Sequence, residues 1–421
     1  MIELRIESET DALTSVVVHS PGAEIEAMTP DTARDLLYND IVPLAVVQTH
    51  HQLMKSVLEI FCDVRELTDL AAAAFRDQAR RDSFQERFLL PGGSVGKDLD
   101  GVVDRELLRD LLAELTPEEL VRTVVEGLPL RKDSLRAYLS GRAYAHPPLP
   151  NLYFMRDSTA VVRSGFIAGA MAYPVRTPEA LLTAAALEAI TGTETPLLYD
   201  GRDESDPTQR MEGGDILVLR KDLLVVGVSE RTAAAAIDRL AAGLLRHYRE
   251  PFTMIAVTLP QKRYAIHLDM LFTMIDHETA LVHAPSMLGE APLRAVRMHC
   301  DPGKAPVITS YPSLLRCLAD TGLQVEPVIC GGSDPVRRER EQWLSGTNAF
   351  AVAPGKILVY DCNVATLEEL DRGGYAVLSA RQILDAPARA RDPGKLAVTI
   401  PGAELARGGG GPRCMTLPLR R

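Results

Sequence analysis

The alternation of short apolar strands with helical segments after residue 150 is the feature that most constrains this fold. Landmark residues recur in it at a constant distance, because Asp157 and Glu212 are 55 residues apart and so are Glu212 and His267. Strands separated by helices are typical of α/β domains, and a constant spacing is typical of repeated supersecondary units. The sequence therefore predicts an α/β architecture, although no sequence identity links the repeats.

The same pattern begins near the N-terminus. Residues 13–19 (LTSVVVH) are a β-branched run closed by a Ser-Pro-Gly turn, which predicts a strand. Apolar residues at helical spacing predict a helix over 43–61, and a second strand is predicted over 62–67. We therefore assign residues 1–68 to the first part of the α/β domain.

A different composition separates this part from the rest. Residues 69–147 are rich in Ala, Leu, Arg and acids, and the stretch at 116–119 (TPEE) is typical of a helix N-cap followed by proline. This predicts an all-helical insertion at 69–147, with the α/β domain resuming over 148–421. The alternative is that these helices only complete the core of that domain.

Composition and charge exclude several classes of function. The chain has 46 Lys and Arg residues against 57 Asp and Glu, a formal net charge of −11, which argues against non-specific nucleic-acid binding. No secretory signal and no apolar run of about 18 residues is visible, so we expect a cytoplasmic protein without a membrane partner. The six cysteines form no CxxC pair, which predicts reduced thiols without a disulfide framework or a zinc site.

A cysteine near the C-terminus is the first candidate for chemistry. Cys414 follows four consecutive glycines at 408–411 and the cation of Arg413. Glycines let backbone pass close to a ligand, and a neighbouring cation favours a thiolate. An inert buried thiol is the alternative. A phosphate loop is weakly supported, because no helix start and no GK[ST] motif follows.

The sequence HLDM supplies a second candidate. In a strand, His267 and Asp269 would point to the same face, which suits acid–base work beside a cationic substrate. A metal site would need further ligands, and no nearby His or Cys supplies them. The alternative is a histidine at a strand edge with Asp269 as its structural partner.

Two further carboxylates lie at structural borders. Glu212 stands at a Gly-Gly corner before an apolar strand (MEGGDILVL), and Asp157 ends the aromatic run NLYFMRD. A solvated turn and an edge strand closed by a surface ion pair are the alternatives. Together the motifs supply one thiol, one imidazole and three carboxylates. This set suits a guanidinium substrate, whose planar N–H donors two carboxylates hold by charge-assisted hydrogen bonds.

In their order and combination, these motifs resemble those of the arginine deiminases, in the guanidino-group-modifying (pentein) superfamily. NLYFMRD, MEGGD, GVSERT, HLDM and GGPRCM carry the resemblance over nearly the whole chain. It implies a fan of five ββαβ units around a pseudo-fivefold axis, with an added helical bundle that fits the insertion at 69–147. It also implies a small guanidino substrate, L-arginine foremost, a homo-oligomer, and neither cofactor nor metal.

The resemblance implies a role for each matching residue. Cys414 is similar to the nucleophile and His267 to the general acid–base. Glu212 would orient His267 or touch the guanidinium, which Asp157 and Asp269 would clamp. The residues that grip the amino-acid end of the substrate would be Asn151, Arg176 and Arg231. The implied reaction is hydrolysis of L-arginine to L-citrulline and ammonia through a covalent Cys414 intermediate.

One position departs from the family pattern. Gly409 stands where the relatives usually carry an arginine on a loop over the site. Its loss predicts altered affinity, a shifted pH optimum, or a substrate that differs from free arginine at its far end. The alternative functions are therefore deimination of a modified arginine or related guanidino compound, amidino transfer, and non-catalytic binding of a guanidino compound.

Overall fold

The computed structural model describes residues 2–38, 40–90, 103, 105–192 and 194–421. Within these residues the strands are β1 (Ser15–Val18), β2 (Asp63–Glu66), β3 (Leu128–Pro129), β4 (Tyr144–His146), β5 (Thr159–Val162), β6 (Gly165–Ala168), β7 (Leu197–Asp200), β8 (Ile216–Arg220), β9 (Leu223–Val228), β10 (Phe252–Thr258), β11 (Phe272–Asp276), β12 (Thr279–Val282), β13 (Ala295–Cys300), β14 (Val307–Tyr311), β15 (Glu326–Ile329), β16 (Phe350–Ala353), β17 (Lys356–Tyr360), β18 (Tyr375–Ser379), β19 (Lys395–Ile400) and β20 (Leu417–Arg420).

The α-helices connect these strands or form the insertion. They are α1 (Ala23–Glu26), α2 (Leu44–Phe61), α3 (Leu67–Ala74), α4 (Gln78–Phe88), α5 (Arg105–Glu114), α6 (Pro117–Glu126), α7 (Leu135–Leu139), α8 (Met155–Ser158), α9 (Thr177–Thr191), α10 (Ala234–His247), α11 (Ala284–Met287), α12 (Leu314–Asp320), α13 (Pro335–Trp343), α14 (Val364–Arg372) and α15 (Ala380–Asp385).

A single arrangement of three strands recurs in the sheets. In the unit of β5, β6, α9 and β7, the first two strands are antiparallel and the strand after the helix is parallel to the second. The same pairing holds for β8, β9 and β10, for β11, β12 and β15, and for β16, β17 and β19. Strands β13 and β14 extend the sheet of β10, and β18 pairs with β19.

The two ends of the chain build the remaining unit together. Strand β1 pairs in parallel with β2 across helix α2, and it pairs in antiparallel fashion with the C-terminal strand β20. In the other units, the antiparallel partner is the strand that comes just before in the chain. In this unit, the C-terminal strand β20 supplies it. Because Cys414 lies three residues before β20, this closure also fixes the thiol in the fan.

The insertion is helical with one exception. Helices α3 to α7 are accompanied by a short antiparallel ribbon of β3 and β4, so the prediction of an all-helical segment is wrong in this detail. As the sequence predicted, Thr116 is the N-cap of α6, and it forms a capping box with Glu119. The predicted insertion residues 91–102 and 104 lie outside the described residues.

The insertion shares a core with the fan. Phe75, Phe84 and Phe88 belong to the same buried apolar cluster as Leu181 and Leu182 of α9. A second cluster joins the first and last units and includes the Cys414 side chain. Among the residues that the structure describes, no helix combines the length and apolar character that a membrane span needs.

Closure by β20 predicts a specific loss of stability. Leu419 is fully buried in this strand, and Leu419→Ala should lower the free energy of unfolding by about 2–5 kcal/mol because it leaves a cavity. Chemical denaturation measures the change. The control Leu139→Ala, at a leucine that is 70% exposed, should cost less than about 0.5 kcal/mol. Equal losses in the two variants would contradict a closing role for β20.

Candidate active site

The five residues predicted to be catalytic each lie just before the first strand of one unit. Asp157 precedes β5, Glu212 precedes β8, and His267 and Asp269 precede β11, while Cys414 precedes β20. Because the units repeat one arrangement, these loops occupy equivalent places and converge. The 55-residue spacing in the sequence is therefore the spacing of equivalent loops.

Two motifs form a turn or a short helix in place of the strand considered for HLDM and the edge strand that was the alternative for NLYFMRD. His267 is extended, but Leu268–Met270 form a 3₁₀ turn, so His267 and Asp269 contact different partners instead of sharing one strand face. Asp157 lies in the short helix α8 rather than in an edge strand. These turns come before the strands, where each loop can direct its side chains toward a common centre.

His267 is fixed by two carboxylates. Its Nε2 lies 2.9 Å from Glu212 Oε2, and its Nδ1 lies 3.5 Å from Asp157 Oδ1. Burial lowers the pKa of His267, but the charge of Asp157 and the hydrogen bond to Glu212 outweigh it and raise that pKa to about 9. Gly214 is required beside this ring, because a Cβ there would lie 2.5 Å from His267 Nδ1.

The Cys414 thiol is buried next to a carboxylate. Its Sγ lies 3.7 Å from Asp269 Oδ2, and its backbone N–H donates to Asn348 Oδ1 at 3.0 Å. Burial raises the pKa of Cys414 well above its ordinary value, and the negative charges of Asp269 and Asp157 raise it further. Arg413 lowers this pKa, in the predicted direction, with a smaller effect. Without a bound cation, the sulfur is therefore a protonated thiol.

The two predicted clamp residues share one pattern of contacts. Asp157 Oδ2 accepts from Arg176 Nη1, and Asp269 Oδ2 accepts from Arg413 Nη1, both at 2.7 Å. The Oδ1 atom of each is buried without a hydrogen-bond partner among the described residues. A buried carboxylate oxygen without a donor costs free energy. Asp269 Oδ1 is thus an acceptor without a donor in the described part of the chain, while Asp157 Oδ1 has only the ion-pair contact with His267 Nδ1 at 3.5 Å.

Each of these arginines is held by a further acid. Arg176 donates from Nε and Nη2 to Glu179 Oε2, at 2.9 and 2.7 Å. Arg413 donates from Nε and Nη2 to the two carboxylate oxygens of Glu9, both at 3.0 Å. We call these two chains of contacts the Glu179 arm and the Glu9 arm.

The other predicted binding residues lie at the edge of this cluster. Arg231 Nη1 lies 3.3 Å from Glu212 Oε2, and its guanidinium is 4.5 Å from the centre of the Tyr173 ring. Asn151 Nδ2 donates to the Leu36 carbonyl at 2.7 Å. The structure thus brings all the predicted residues into one region, with Arg176 and Arg231 both paired with carboxylates.

Comparison with known proteins assigns the family. The family model described as arginine deiminase matches residues 34–421. The arginine deiminase of Listeria welshimeri is 32% identical over 432 residues, which cover 99% of this chain and 98% of that protein. The arginine deiminase of Lactococcus lactis subsp. lactis is 32% identical over 442 residues, with the same coverage.

The chain belongs to the arginine deiminase family.

Solved structures confirm the fold of this arginine deiminase family member. A dimethylarginine dimethylaminohydrolase adduct matches with a TM-score of 0.50 at 12% identity, over 96% of this chain and 99% of that chain. An amidinotransferase of saxitoxin biosynthesis from Microseira wollei matches with a TM-score of 0.50 at 14% identity, over 99% and 97%. The predicted α/β fan of five ββαβ units is confirmed.

Sequence reasoning missed Asn348, Glu9 and Glu179 of this deiminase-family site. Asn348, which binds the backbone of Cys414, comes two residues before β16 and so occupies the equivalent loop of the last unit. The repeat pattern could have revealed it. Glu9 lies in the N-terminal segment, before the residues that the family model matches, and no local pattern marks it.

A group of site residues has the spacing of a metal site. Ligand atoms of Asp157, Glu212 and His267 lie within 4.8 Å of one another. However, Arg176 and Arg231 already bring positive charge to the two acids. The pairing with arginines accounts for these carboxylates, and the expectation of a site without metal remains a prediction.

The His267 pair yields a test by titration. Because the Glu212 carboxylate raises the pKa of His267, Glu212→Gln should lower it by at least about one pH unit. The stabilisation from this raised pKa is complete below the ordinary histidine pKa and is lost as pH rises through about 9. NMR of the imidazole C–H signals, assigned with His267→Asn, measures the midpoint.

The matched control is Glu341→Gln. Glu341 is a buried carboxylate that accepts from backbone N–H groups of α14, and its loss should leave the His267 midpoint unchanged. A midpoint that also stays unchanged in Glu212→Gln would show that Glu212 does not control the proton of His267.

Proposed function

We propose that this protein hydrolyses the guanidino group of L-arginine to L-citrulline and ammonia through a covalent Cys414 intermediate. The observation that carries the proposal is that Asp157 Oδ1 and Asp269 Oδ1 are buried near the Cys414 thiol and accept no hydrogen bond from the described residues, although His267 Nδ1 lies 3.5 Å from Asp157 Oδ1. Membership of the arginine deiminase family supports the reaction. The substrate cation is the group that completes the site electrostatically.

Binding rests on charge-assisted hydrogen bonds. A guanidinium remains protonated at any workable pH and presents five N–H donors in one plane. Moving it out of water costs several kcal/mol unless acids pair with it. The Oδ1 atoms of Asp157 and Asp269 would accept from its N–H groups, while the Glu179 and Glu9 arms keep the Oδ2 atoms in place. The arms thus preorganise the clamp before the substrate enters.

The first chemical step begins with the thiol. The bound cation lowers the pKa of Cys414, the thiol proton leaves to solvent, and the thiolate attacks the guanidino carbon. Protonated His267 then donates its proton to the departing nitrogen, the C–N bond breaks, and ammonia leaves. The product of this step is an S-alkylthiouronium in which the carbon is bonded to Cys414 Sγ.

The second step uses the same imidazole as a base. Neutral His267 takes a proton from water as the oxygen adds to the carbon. The tetrahedral adduct then loses its hydroxyl proton to solvent and collapses to the carbonyl of the product with cleavage of the C–S bond. L-Citrulline forms, and the thiolate and the protonated imidazole are restored. Glu212 and Asp157 stabilise the charged imidazole in the first and last states. Proton transfer of this kind contributes roughly 10²–10⁴-fold to the rate.

We place the amino-acid end of the substrate toward Asn151, Arg176 and Arg231. Arg231 supports this because it contacts Glu212 and also lines a neighbouring cavity of about 280 Å³, which we call the mouth of the site. We also propose that the protein acts in the cytoplasm as a homo-oligomer. We further propose that residues 69–147 are a helical insertion between the two parts of the α/β domain, residues 1–68 and 148–421. All six cysteines are free thiols, which fits a reducing compartment.

The covalent mechanism predicts contrasting variants. Cys414→Ala should lose turnover because no nucleophile remains. His267→Ala should form the thiouronium adduct slowly, because no acid assists the release of ammonia, and should retain it because no base activates water. Citrulline and ammonia assays measure turnover, and intact-protein mass spectrometry measures the adduct. Turnover at the normal rate by Cys414→Ala would refute the mechanism. Formation of ornithine with an amine acceptor, in place of ammonia and citrulline, would point to amidino transfer.

The protonated thiol predicts selectivity among alkylating agents. 2-Chloroacetamidine is a cation and 2-chloroacetamide is its neutral counterpart; each would form a C–S bond with loss of chloride. The inactivation rate constant of each reagent is divided by its rate constant with a free thiol in solution. The corrected rate constant at pH 7 should be at least tenfold higher for the cation, because it pairs with Asp157 and Asp269 and favours the Cys414 thiolate. Inactivation kinetics with residual citrulline formation measure the ratio.

Variants separate the clamp from general reactivity. Asp157→Asn and Asp269→Asn should reduce the preference for the cation, whereas the control Glu341→Gln should retain it. Equal corrected rates for the two reagents in the unmodified protein would mean that the clamp does not control Cys414.

A further inference from the structure

The mouth of the site carries an excess of positive charge. Four cationic side chains line its cavity, and Glu230 is the one acid among the described lining residues. The four cations are Arg34, Arg231, Lys262 and Arg263. Since the whole chain has a formal net charge of −11, this local excess is opposite in sign to the protein. A cleft lined by one sign of charge concentrates ligands of the other sign.

Three of these cations lack an acidic partner within the part of the chain that the structure describes. Arg231 is paired with Glu212 and Glu230, at 3.3 and 3.2 Å. Among the described residues, Arg34 and Lys262 form no ion pair, and Arg263 instead has its guanidinium 5.1 Å from the centre of the Trp343 ring. The free positive charge is therefore located outside the predicted carboxylate-binding arginines.

The cavity also has free space beside Gly409. This glycine is on its wall with φ of +96°, and no atom of another described residue, apart from its chain neighbours, lies within 4 Å of the place where a Cβ would stand. A second cavity of about 650 Å³ shares Tyr264 and Trp343 with the first, so the two cavities are neighbours at the half-exposed Trp343 ring.

Free arginine uses only part of this positive charge. Its far end carries one carboxylate, which the cations of the mouth would attract, and one ammonium, which Arg34, Lys262 and Arg263 would repel. Acylation of the α-nitrogen removes the ammonium charge. An acyl group that ends in a carboxylate would also place a second negative charge among the three cations.

We propose that the mouth is a binding site for an anionic extension, and that the preferred substrate is an arginine whose α-nitrogen is acylated by a dicarboxylic acid. This inference rests on the proposed deiminase function, because the same thiol acts on the guanidino end. The extension would lie between Arg34 and Lys262 with Gly409 beside it. Recognition would be electrostatic, so it should weaken as salt screens the charges.

Two matched substrates test the site. Nα-Succinyl-L-arginine and Nα-butyryl-L-arginine have acyl chains of the same length, and only the first has the added carboxylate. The kcat/KM for citrulline formation should be at least tenfold higher for the succinyl compound at low ionic strength. The ratio should fall several-fold when the salt concentration is raised from 50 to 500 mM.

Variants assign the preference to the mouth. In the double variant Arg34→Gln, Lys262→Gln, the ratio of succinyl to butyryl kcat/KM should fall at least fivefold. Lys304→Gln, at an exposed lysine outside the cavity lining, should leave the ratio unchanged. A ratio near one in the unmodified protein, or a ratio that the double variant does not change, would overturn the anionic site.

Failure of this proposal differs from failure of the deiminase function. Citrulline from free arginine with no succinyl preference would refute the anionic site alone. Citrulline from none of the three substrates would refute the deiminase function, and calorimetry on Cys414→Ala would then decide the anionic site without turnover. Tighter binding of Nα-succinyl-L-arginine than of Nα-butyryl-L-arginine would support it there, and equal binding would overturn it.

Discussion

The arrangement of the whole site depends on arginine–carboxylate pairs buried in the fan. The Glu179 arm and the Glu9 arm each bind one oxygen of a clamp residue, and the other oxygen accepts no hydrogen bond from the residues that the structure describes. Removing such charges from water is costly, and good pairing geometry offsets that cost. The arms therefore do more than stabilise the fold, because they hold two acceptors in an orientation that a further cation can bind.

Closure of the fan determines which parts of the chain can take part. Strand β20 pairs with β1, so residues before β20 lie among loops that come from the middle of the chain. Glu9 reaches Arg413 from the N-terminal side of β1, and Asn348 reaches the Cys414 backbone from the last complete unit. The thiol is consequently positioned by both termini and by the repeat that precedes it. This explains why a catalytic set so dispersed in sequence occupies one volume.

The sequence was most informative where a pattern was local or repeated. The β-branched run before the Ser-Pro-Gly turn, the N-cap at Thr116 and the equal spacing of Asp157, Glu212 and His267 all reflect local structure or the repeat itself. The prediction of a strand at HLDM was wrong. Alternating polar and apolar residues in so short a segment fit a strand, but they fit equally well an extended residue followed by a 3₁₀ turn. Glu9 was missed because its function arises only from a contact with Arg413, which is 404 residues away.

The site is acidic around the thiol and basic at its mouth, and this difference in charge determines which molecules react and in which orientation they bind. Inside, acids around the thiol keep it protonated, so an approaching neutral molecule meets a poor nucleophile. A guanidinium that enters the clamp supplies the missing positive charge and activates the sulfur that attacks it. At the mouth, uncompensated cations disfavour an entering ammonium and favour carboxylates. A substrate with a cation at one end and only anions at the other is therefore oriented by the electrostatic field of the site before it binds. The same field disfavours the reversed orientation.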